Sequence, residues 1–417
     1  MLDCLDRGSS TGRWPTTPRE RGYFPQGGIG DDPRMQAPRW SIERLQQEIA
    51  ILGTRGLPRN EYFAELAPRL RRVIASDATC WHTLDPQTRL LTSDEPTELI
   101  EHGVFTAEGA AAAGQLLVRS EYLVEDRNTF ADLASRRVPV GTLDQATRGH
   151  PERSIRYRDL LEPSGIPHEL RAAFLLRGRV WGAVHIARRA SSGAFSRGDA
   201  DALARVAGTI AAGIRGSLRF DAARRGFGEE APGLVVLDAA GEVELLTPPA
   251  RRLIESIGSD ALAYRDGELP SSVLALASFT RSEKAPYNPG ENVVTVPGRD
   301  CWITLHASRP DPTADRVAIV IEPASGPRSA TLRLEAHGAT GREREVATLL
   351  ARGLTNPEIA DALVLSPHTV QDHVKSLFDK LGVRSRQELV ARVFLDEYLP
   401  EVVRETPLTS RGRFELH

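Results

Sequence analysis

The chain has 417 residues, of which 41% are apolar and 26% charged, with a net charge of −3. Those figures place it among globular proteins of about two to four domains and exclude a histone-like condenser of nucleic acid, so any polyanion contact has to be local. Cys4, Cys80 and Cys301 are too few and too scattered for a disulfide framework or a zinc spacing, which suits a reducing cytoplasm. No apolar run approaches the roughly 18 residues of a membrane helix, and no signal peptide is visible. The expectation is a cytoplasmic protein that stays off the membrane.

Residues 1–39 are rich in Gly, Pro, Arg and Ser and show no apolar period, so a disordered extension is expected. Gly27-Gly28-Ile29-Gly30 follows no strand and precedes no helix, and is therefore no phosphate loop. Met1 and Met35 are the only methionines, and Met35 is read as the native start.

From residue 40 to residue 224 helical and strand patterns alternate. Helical spacing marks Ser41–Ile51 and Tyr62–Ile74; strands are expected at Ala78–Leu84 and Arg89–Thr92, then a helix at Ala107–Leu117. Arg171–Arg188 reads as a hairpin turned at Arg177-Gly178-Arg179. Phe195-Ser196 then introduces a long helix, Asp199–Arg219. This order resembles a GAF domain, which implies an antiparallel sheet flanked by helices and often enclosing a small ligand. Cys80-Trp81-His82 places a thiol beside an imidazole, and His185 sits mid-strand. The expected role of Cys80 and His185 is packing, with a ligand contact at His185 as the alternative. On the long helix, Leu203, Ala207, Ile210, Ile214 and Ser217 or Leu218 form a seam. It either pairs with a second copy or covers the sheet; a homodimer through it, helped by Leu389, Val390 and Val393, is expected.

Residues 227–326 begin with a hairpin, Leu234–Asp238 and Glu242–Leu246 around Ala240-Gly241, followed by a helix at Pro249–Ile257. A variable middle leads to strands at Asn292–Val296, Trp302–Ala307 and Arg316–Ile321. The opening strand, the Asp238-x-x-Gly241 turn and the closing strands resemble a PAS domain, again an antiparallel sheet with flanking helices. No heme or flavin motif is present, ligation by His306 or Cys301 is not expected, and no cofactor is assigned. Pro323–Arg328 is a Pro/Gly linker.

The segment 333–396 carries the strongest signals. Thr340 with Glu343, Thr355 with Glu358, and Ser385 with Glu388 are three capping boxes, and Ser366-Pro367 starts a further helix. Gly353 and Gly382 stand where helices end. Four short helices follow, the second and third joined by a tight turn at Val364–Ser366. On the third, Val370, Val374, Leu377, Phe378 and Leu381 face inward. His368, Gln371, Asp372, Lys375 and Asp379 face outward, where polar side chains reach base edges if the helix lies in a major groove. Of the chain's three lysines, Lys284, Lys375 and Lys380, two lie on this helix.

These residues resemble the DNA-binding domain of LuxR-type transcriptional regulators. The resemblance is carried by Arg342-Glu343-Arg344-Glu345-Val346, Asn356 with Glu358-Ile359-Ala360, Thr369-Val370, His373-Val374-Lys375, Lys380-Leu381-Gly382 and Ser385-Arg386. It implies a four-helix domain that binds double-stranded DNA, usually as a homodimer on an inverted repeat. The implied DNA-binding residues are His368, Thr369, Gln371, Asp372, Lys375, Lys380, Arg384 and Arg386. Ala339, Gly341 and Pro357 depart from the family pattern, and Gln371-Asp372 replaces a usual Lys-Asn pair. Nine basic and nine acidic residues lie between Arg333 and Asp396, a weak basic footprint for a DNA binder. Residues 397–417 read as a loose tail.

No Walker pattern, Gly-x-Ser-x-Gly turn or His-Glu-x-x-His zinc pattern occurs, so an enzyme is not expected. The fold expected is multidomain α+β, two antiparallel sheet domains followed by an all-α helix-turn-helix domain. The function expected is sequence-specific transcriptional regulation under a small-molecule effector or protein partner. The alternative is a ligand-binding hub acting through protein contacts.

Overall fold

The computed structural model describes residues 42–86, 88–224, 231–257, 268–282, 292–299, 301–310, 316–324, 334, 337–390 and 393. The disordered extension and loose tail expected at the two ends lie outside these residues, as does most of the Pro/Gly linker.

Leu45, Ile49 and Leu52 form the buried face of α1 (Ile42–Gly53). Tyr62, Phe63, Leu66 and Leu70 do the same for α2 (Arg59–Arg71). Both helices pack on a five-stranded antiparallel sheet through a common core. Its strands begin with β1 (Ala78–Leu84) and β2 (Leu91–Glu95). The second strand starts two residues later than expected. Asp85 caps a turn there, accepting from the Thr88 amide at 2.7 Å, and Arg89 sits at φ 62°, which no strand tolerates.

A largely helical stretch follows: α3 (Thr97–Glu101), α4 (Ala107–Val118) continuing into a wider turn at Arg119–Leu123, and α5 (Phe130–Ser135). The sheet is completed by β3 (Val140–Thr142), with α6 (Leu143–Thr147) after it, then β4 (His168–Leu176) and β5 (Arg179–Arg188). Strand order is β2-β1-β5-β4-β3, with β4 and β5 forming the expected hairpin.

The two faces of this sheet differ. On one, Trp81 stacks between Phe63 and Phe174 at centroid distances of 5.3 and 5.9 Å. Across that face runs α7 (Arg197–Arg224). Leu203, Ala207, Ile210, Ile214, Ser217 and Leu218 are all buried, the apolar ones within the core shared by the sheet, α1 and α2. The seam therefore covers its own sheet. It is not available to pair with a second copy, because the transfer of its apolar surface from water is already complete within the protomer.

The other face carries charge into the interior. Arg156 donates from Nε and Nη2 to the two oxygens of Glu169, both at 2.8 Å, and from Nη1 to Asp126 at 3.2 Å. Arg171 donates to Glu121 at 2.7 Å and lies over the Phe130 ring. These side chains are at most 1% exposed. Burial alone would raise the Glu169 carboxyl, but Arg156 and Arg171 hold it well below the usual range.

The second sheet has order β7-β6-β10-β9-β8, all pairs antiparallel. It is built from β6 (Gly233–Leu237), β7 (Val243–Leu246), α8 (Pro248–Ser256), α9 (Ser271–Arg281), β8 (Val293–Pro297), β9 (Trp302–Ser308) and β10 (Val317–Pro323). The β6–β7 turn forms because Asp238 Oδ1 accepts from the amides of Ala240 and Glu242, both at 2.9 Å. Gly241 supplies the left-handed φ of 90°. The helix α9 was not expected. Its sequence SSVLALASFTR lacks a polar face, and eight of its eleven residues are buried. An all-round buried helix gives no amphipathic signal. It is buried all round because it lies between the two sheet units: Val273, Leu276 and Ala277 join the second core, while Ala275 joins Leu84, Leu91 and Leu117 of the first unit.

No described helix is long and apolar enough to cross a membrane.

Candidate nucleic-acid interface

Four helices make the C-terminal domain: α10 (Gly341–Ala351), α11 (Asn356–Leu363), α12 (Pro367–Leu381) and α13 (Arg386–Val390). The starts follow from caps. Thr340 and Glu343 make a reciprocal box, each side chain accepting the other's amide at 3.2 and 2.6 Å. Glu358 accepts from both the amide and hydroxyl of Thr355 at 2.7 Å. Ser366 accepts from the Thr369 amide at 3.0 Å. The third box is shifted: Ser385 accepts from the Glu388 amide at 3.1 Å, but Glu388 reaches back to the Arg384 amide at 2.8 Å. The helix α12 stops at Gly382, φ 66°, in the left-handed region.

Val370, Val374, Leu377 and Leu381 are buried along one side of α12 and meet Val346, Leu350, Ile359 and Leu389 in one core. That packing fixes which side of α12 faces out. His368, Gln371, Asp372, Lys375 and Asp379 are all exposed. His368 and Asp372, one turn apart, show 84% and 70% of their side chains and approach to 3.7 Å. Lys375 lies one turn beyond Gln371 on the same side. Thr369 is half-buried, its hydroxyl 2.8 Å from that of Ser366.

The remaining sequence-selected cations divide. Arg384 is exposed. Arg386 is half-buried and donates to the Leu354 carbonyl at 2.7 Å, tying α13 to the turn before α11. The Lys380 ammonium is held by both oxygens of Glu343 at 2.6 and 2.5 Å. Burial would raise the Glu343 carboxyl, but Lys380, the Thr340 amide and the Ser376 hydroxyl bring it down to about 2. Sequence reasoning gave Lys380 to DNA and Glu343 to a cap; the structure joins them in an ion pair that bridges α10 and α12. The signal was present as a buried position for Glu343 on the inner side of α10, but it needs the packing angle of the two helices to be read.

Residues 339–393 match the family model described as "Bacterial regulatory proteins, luxR family". This segment is a LuxR-family helix-turn-helix domain. UhpA of Escherichia coli is 51% identical over 55 residues, 13% of this chain and 28% of that protein. SgaR of Hyphomicrobium methylovorum is 50% identical over 52 residues, 12% of this chain and 25% of that protein. GfsR of Streptomyces halstedii is 30% identical over 142 residues, 33% of this chain and 54% of that protein, a span longer than the LuxR-family domain itself. The chain spans between 6% and 54% of the lengths of such relatives. Among solved structures, the phage VqmA–DPO complex aligns over 47% of this chain and 95% of that one. Identity is 17% and the TM-score is 0.17, a level at which the folds need not correspond.

The other side chains singled out in the sequence lie elsewhere. Cys80, His82 and His185 meet on the first sheet; Cys301 is buried in the second core, and His306 pairs with Glu322 at 3.0 Å. Among the described residues no group of three His, Cys, Asp or Glu side chains is spaced to hold a metal ion.

Proposed function

We propose that this chain is a sequence-specific, DNA-binding transcriptional regulator of LuxR type, controlled by an effector or partner acting on the two sheet units, which we read as GAF-like and PAS-like. The reading rests on the outward face of α12, where the domain core leaves His368, Gln371, Asp372 and Lys375 exposed together on a capped helix after a tight turn. Such a helix fits a major groove: Gln371 suits adenine, Lys375 suits guanine or a phosphate, and Asp372 accepts from a cytosine amine or repels wrong sequences. Thr369 and Arg384 are read as backbone contacts, while Arg386 and Lys380 act through their holds on the Leu354 carbonyl and Glu343. The working form is a homodimer on an inverted repeat, with a surface other than the α7 seam between the copies. Effector binding shifts the population of arrangements that can engage both half-sites.

The test is selection of bound duplexes from a randomised pool by the full chain. Enrichment of one motif, with affinity falling steeply as salt rises, supports the reading. Failure to enrich any motif sinks it. A second reading is favoured by one observation, that Lys380 and Arg386 are committed to internal partners: a hub that acts through protein contacts. It is the reading left standing if no duplex is enriched.

A further inference from the structure

Alternation along β1 puts Cys80 and His82 on the sheet face opposite Trp81. Cys80 is in register with His185 on β5, and His82 with Asp94 on β2. These four side chains form the polar floor of a cavity with about 40 Å³ open to the centres of water-sized spheres. The walls are apolar, from Leu99, Phe105, Leu160 and Ile166, and α4 contributes small residues at Ala110 and Gly114. The floor is chemically defined. His82 Nδ1 lies 2.8 Å from Asp94 Oδ1, and a carboxylate only accepts, so Nδ1 carries the proton and a neutral His82 presents Nε2 as an acceptor. That atom is fully buried and has no hydrogen-bond partner among the described residues. A buried polar atom left this way is costly and therefore informative.

The roof is equally specific. Ser271, the first residue of α9 in the second sheet unit, also lines the cavity. The helices α4 and α9 approach so closely at Gly114 that a Cβ there would sit 2.6 Å from Ser271 Oγ. The cavity floor thus belongs to one sheet unit and part of its cover to the other.

We infer that this cavity binds a small, uncharged, mainly apolar molecule whose hydroxyl or N–H donates to His82 Nε2, and that α9 closes over it. Apolar walls and the Asp94 carboxylate disfavour an anion, and a donor supplies what Nε2 lacks. Burial pushes the Cys80 thiol up and brings the His185 imidazole down to about 4, so both stay neutral at neutral pH. Because Ala275 of the same helix packs with Leu84 and Leu117 of the first unit, occupancy of the cavity sets how firmly the two units are joined. The inference rests on the proposed regulatory reading only for its biological meaning.

The experiment uses the full chain with three probes: phenol, toluene without the donor, and benzoate with a charge. Melting temperature and hydrogen exchange are read for each. Phenol at ten times its dissociation constant is expected to raise the melting temperature by about 2 °C or more and to protect the amides of residues 271–281. Toluene is expected to bind at least tenfold more weakly, and benzoate to do nothing. Ala110→Leu fills the cavity and should abolish the phenol response while the unliganded protein keeps its fold. His82→Asn should cut phenol affinity about tenfold and toluene affinity little. No phenol binding, equal binding of phenol and toluene, an undiminished response in Ala110→Leu, or binding that leaves residues 271–281 unprotected would each overturn the inference. None of these outcomes involves DNA, so failure here and failure of the DNA-binding reading are separable.

Discussion

Arg156 and Arg171 have side chains 1% and 0% exposed inside the first sheet unit, whereas His368 and Asp372 on α12 are 84% and 70% exposed. Both regions are rich in polar groups, but their physics is opposite. In the sheet unit each charge has been taken out of water, and its partners have to replace hydration. On α12 the charges keep their water, and only a partner of matching geometry gives them structure. A buried set specifies one conformation; an exposed set reports on whatever it meets. Charge count says little about function until burial is known.

The largest expected effect breaks the buried set. Arg156→Met leaves Asp126 without its guanidinium and Glu169 with only that of Arg171 at 3.8 Å, and destabilisation of about 3–5 kcal/mol is expected. The double variant Arg156→Met with Glu169→Leu should recover part of that loss, since no lone charge then remains on that pair. Denaturant unfolding followed by tryptophan fluorescence reads it, because Trp81 and Trp181 lie in this unit's core. A single variant within 1 kcal/mol of the parent (roughly the value of an exposed pair) would show that the network is wet.

Next comes the bridge inside the helix-turn-helix domain. Glu343→Gln leaves the Lys380 ammonium half-buried and unpaired, and a loss of about 2–3 kcal/mol is expected for that domain. The two regions then separate by pH. Glu343, lowered from 4.5 to about 2, binds fewer protons folded than unfolded. Its contribution is therefore present above pH 4.5 and lost as pH falls through 2. His185, lowered by burial from 6.5 to about 4, has the same sign in a higher window. Its contribution is present above pH 6.5 and lost as pH falls through 4. The sheet unit should weaken first on acidification. Helix content that melts before the tryptophan signal moves would contradict that order.

Much of this contrast was legible in the sequence on one side only. The helix-turn-helix domain announces itself through local signals: caps at Thr340, Thr355 and Ser366, a stop at Gly382, and an apolar side of α12 that defines the exposed one. Its ion pair was not legible, because Glu343 and Lys380 are 37 residues apart and meet through a helix crossing. In the sheet units, β1 and the β4–β5 hairpin followed from alternation and a glycine turn. The buried network did not, since Glu121, Asp126, Arg156 and Arg171 come from separate elements and look like ordinary surface charges. The helix α9 was hidden for the reason that makes it interesting, contact on all sides.

On the exposed side, Lys375→Ala is expected to cost about 1–3 kcal/mol in DNA affinity with relaxed sequence preference if Lys375 reads a base. If it meets only phosphate, affinity should fall uniformly and the salt slope by about one. Unchanged affinity and unchanged slope would remove this face of α12 from the interface. Asp372→Asn should tighten binding to unrelated duplexes, as a negative charge leaves the neighbourhood of the phosphates.

The smallest effect concerns the turn that sets α12 in place. Val364 ends α11 in the left-handed region, φ 54° and ψ 52°, with 91% of its surface exposed. A β-branched residue there costs about 1–2 kcal/mol relative to one that accepts the conformation. Exposure means that almost no packing offsets the strain. Val364→Asn keeps a side chain, so the unfolded chain gains little freedom, and Asn tolerates this backbone region. Stabilisation of about 1 kcal/mol is expected, with Val364→Gly somewhat less because glycine also frees the unfolded chain. Hydrogen exchange of the α11 and α12 amides in the full chain measures it locally, as slower opening of that pair alone. DNA affinity should stay put, because the outward residues of α12 do not move. Faster exchange in Val364→Asn would mean that the valine side chain has a packing partner, and that the turn is held by contact instead of strained in isolation.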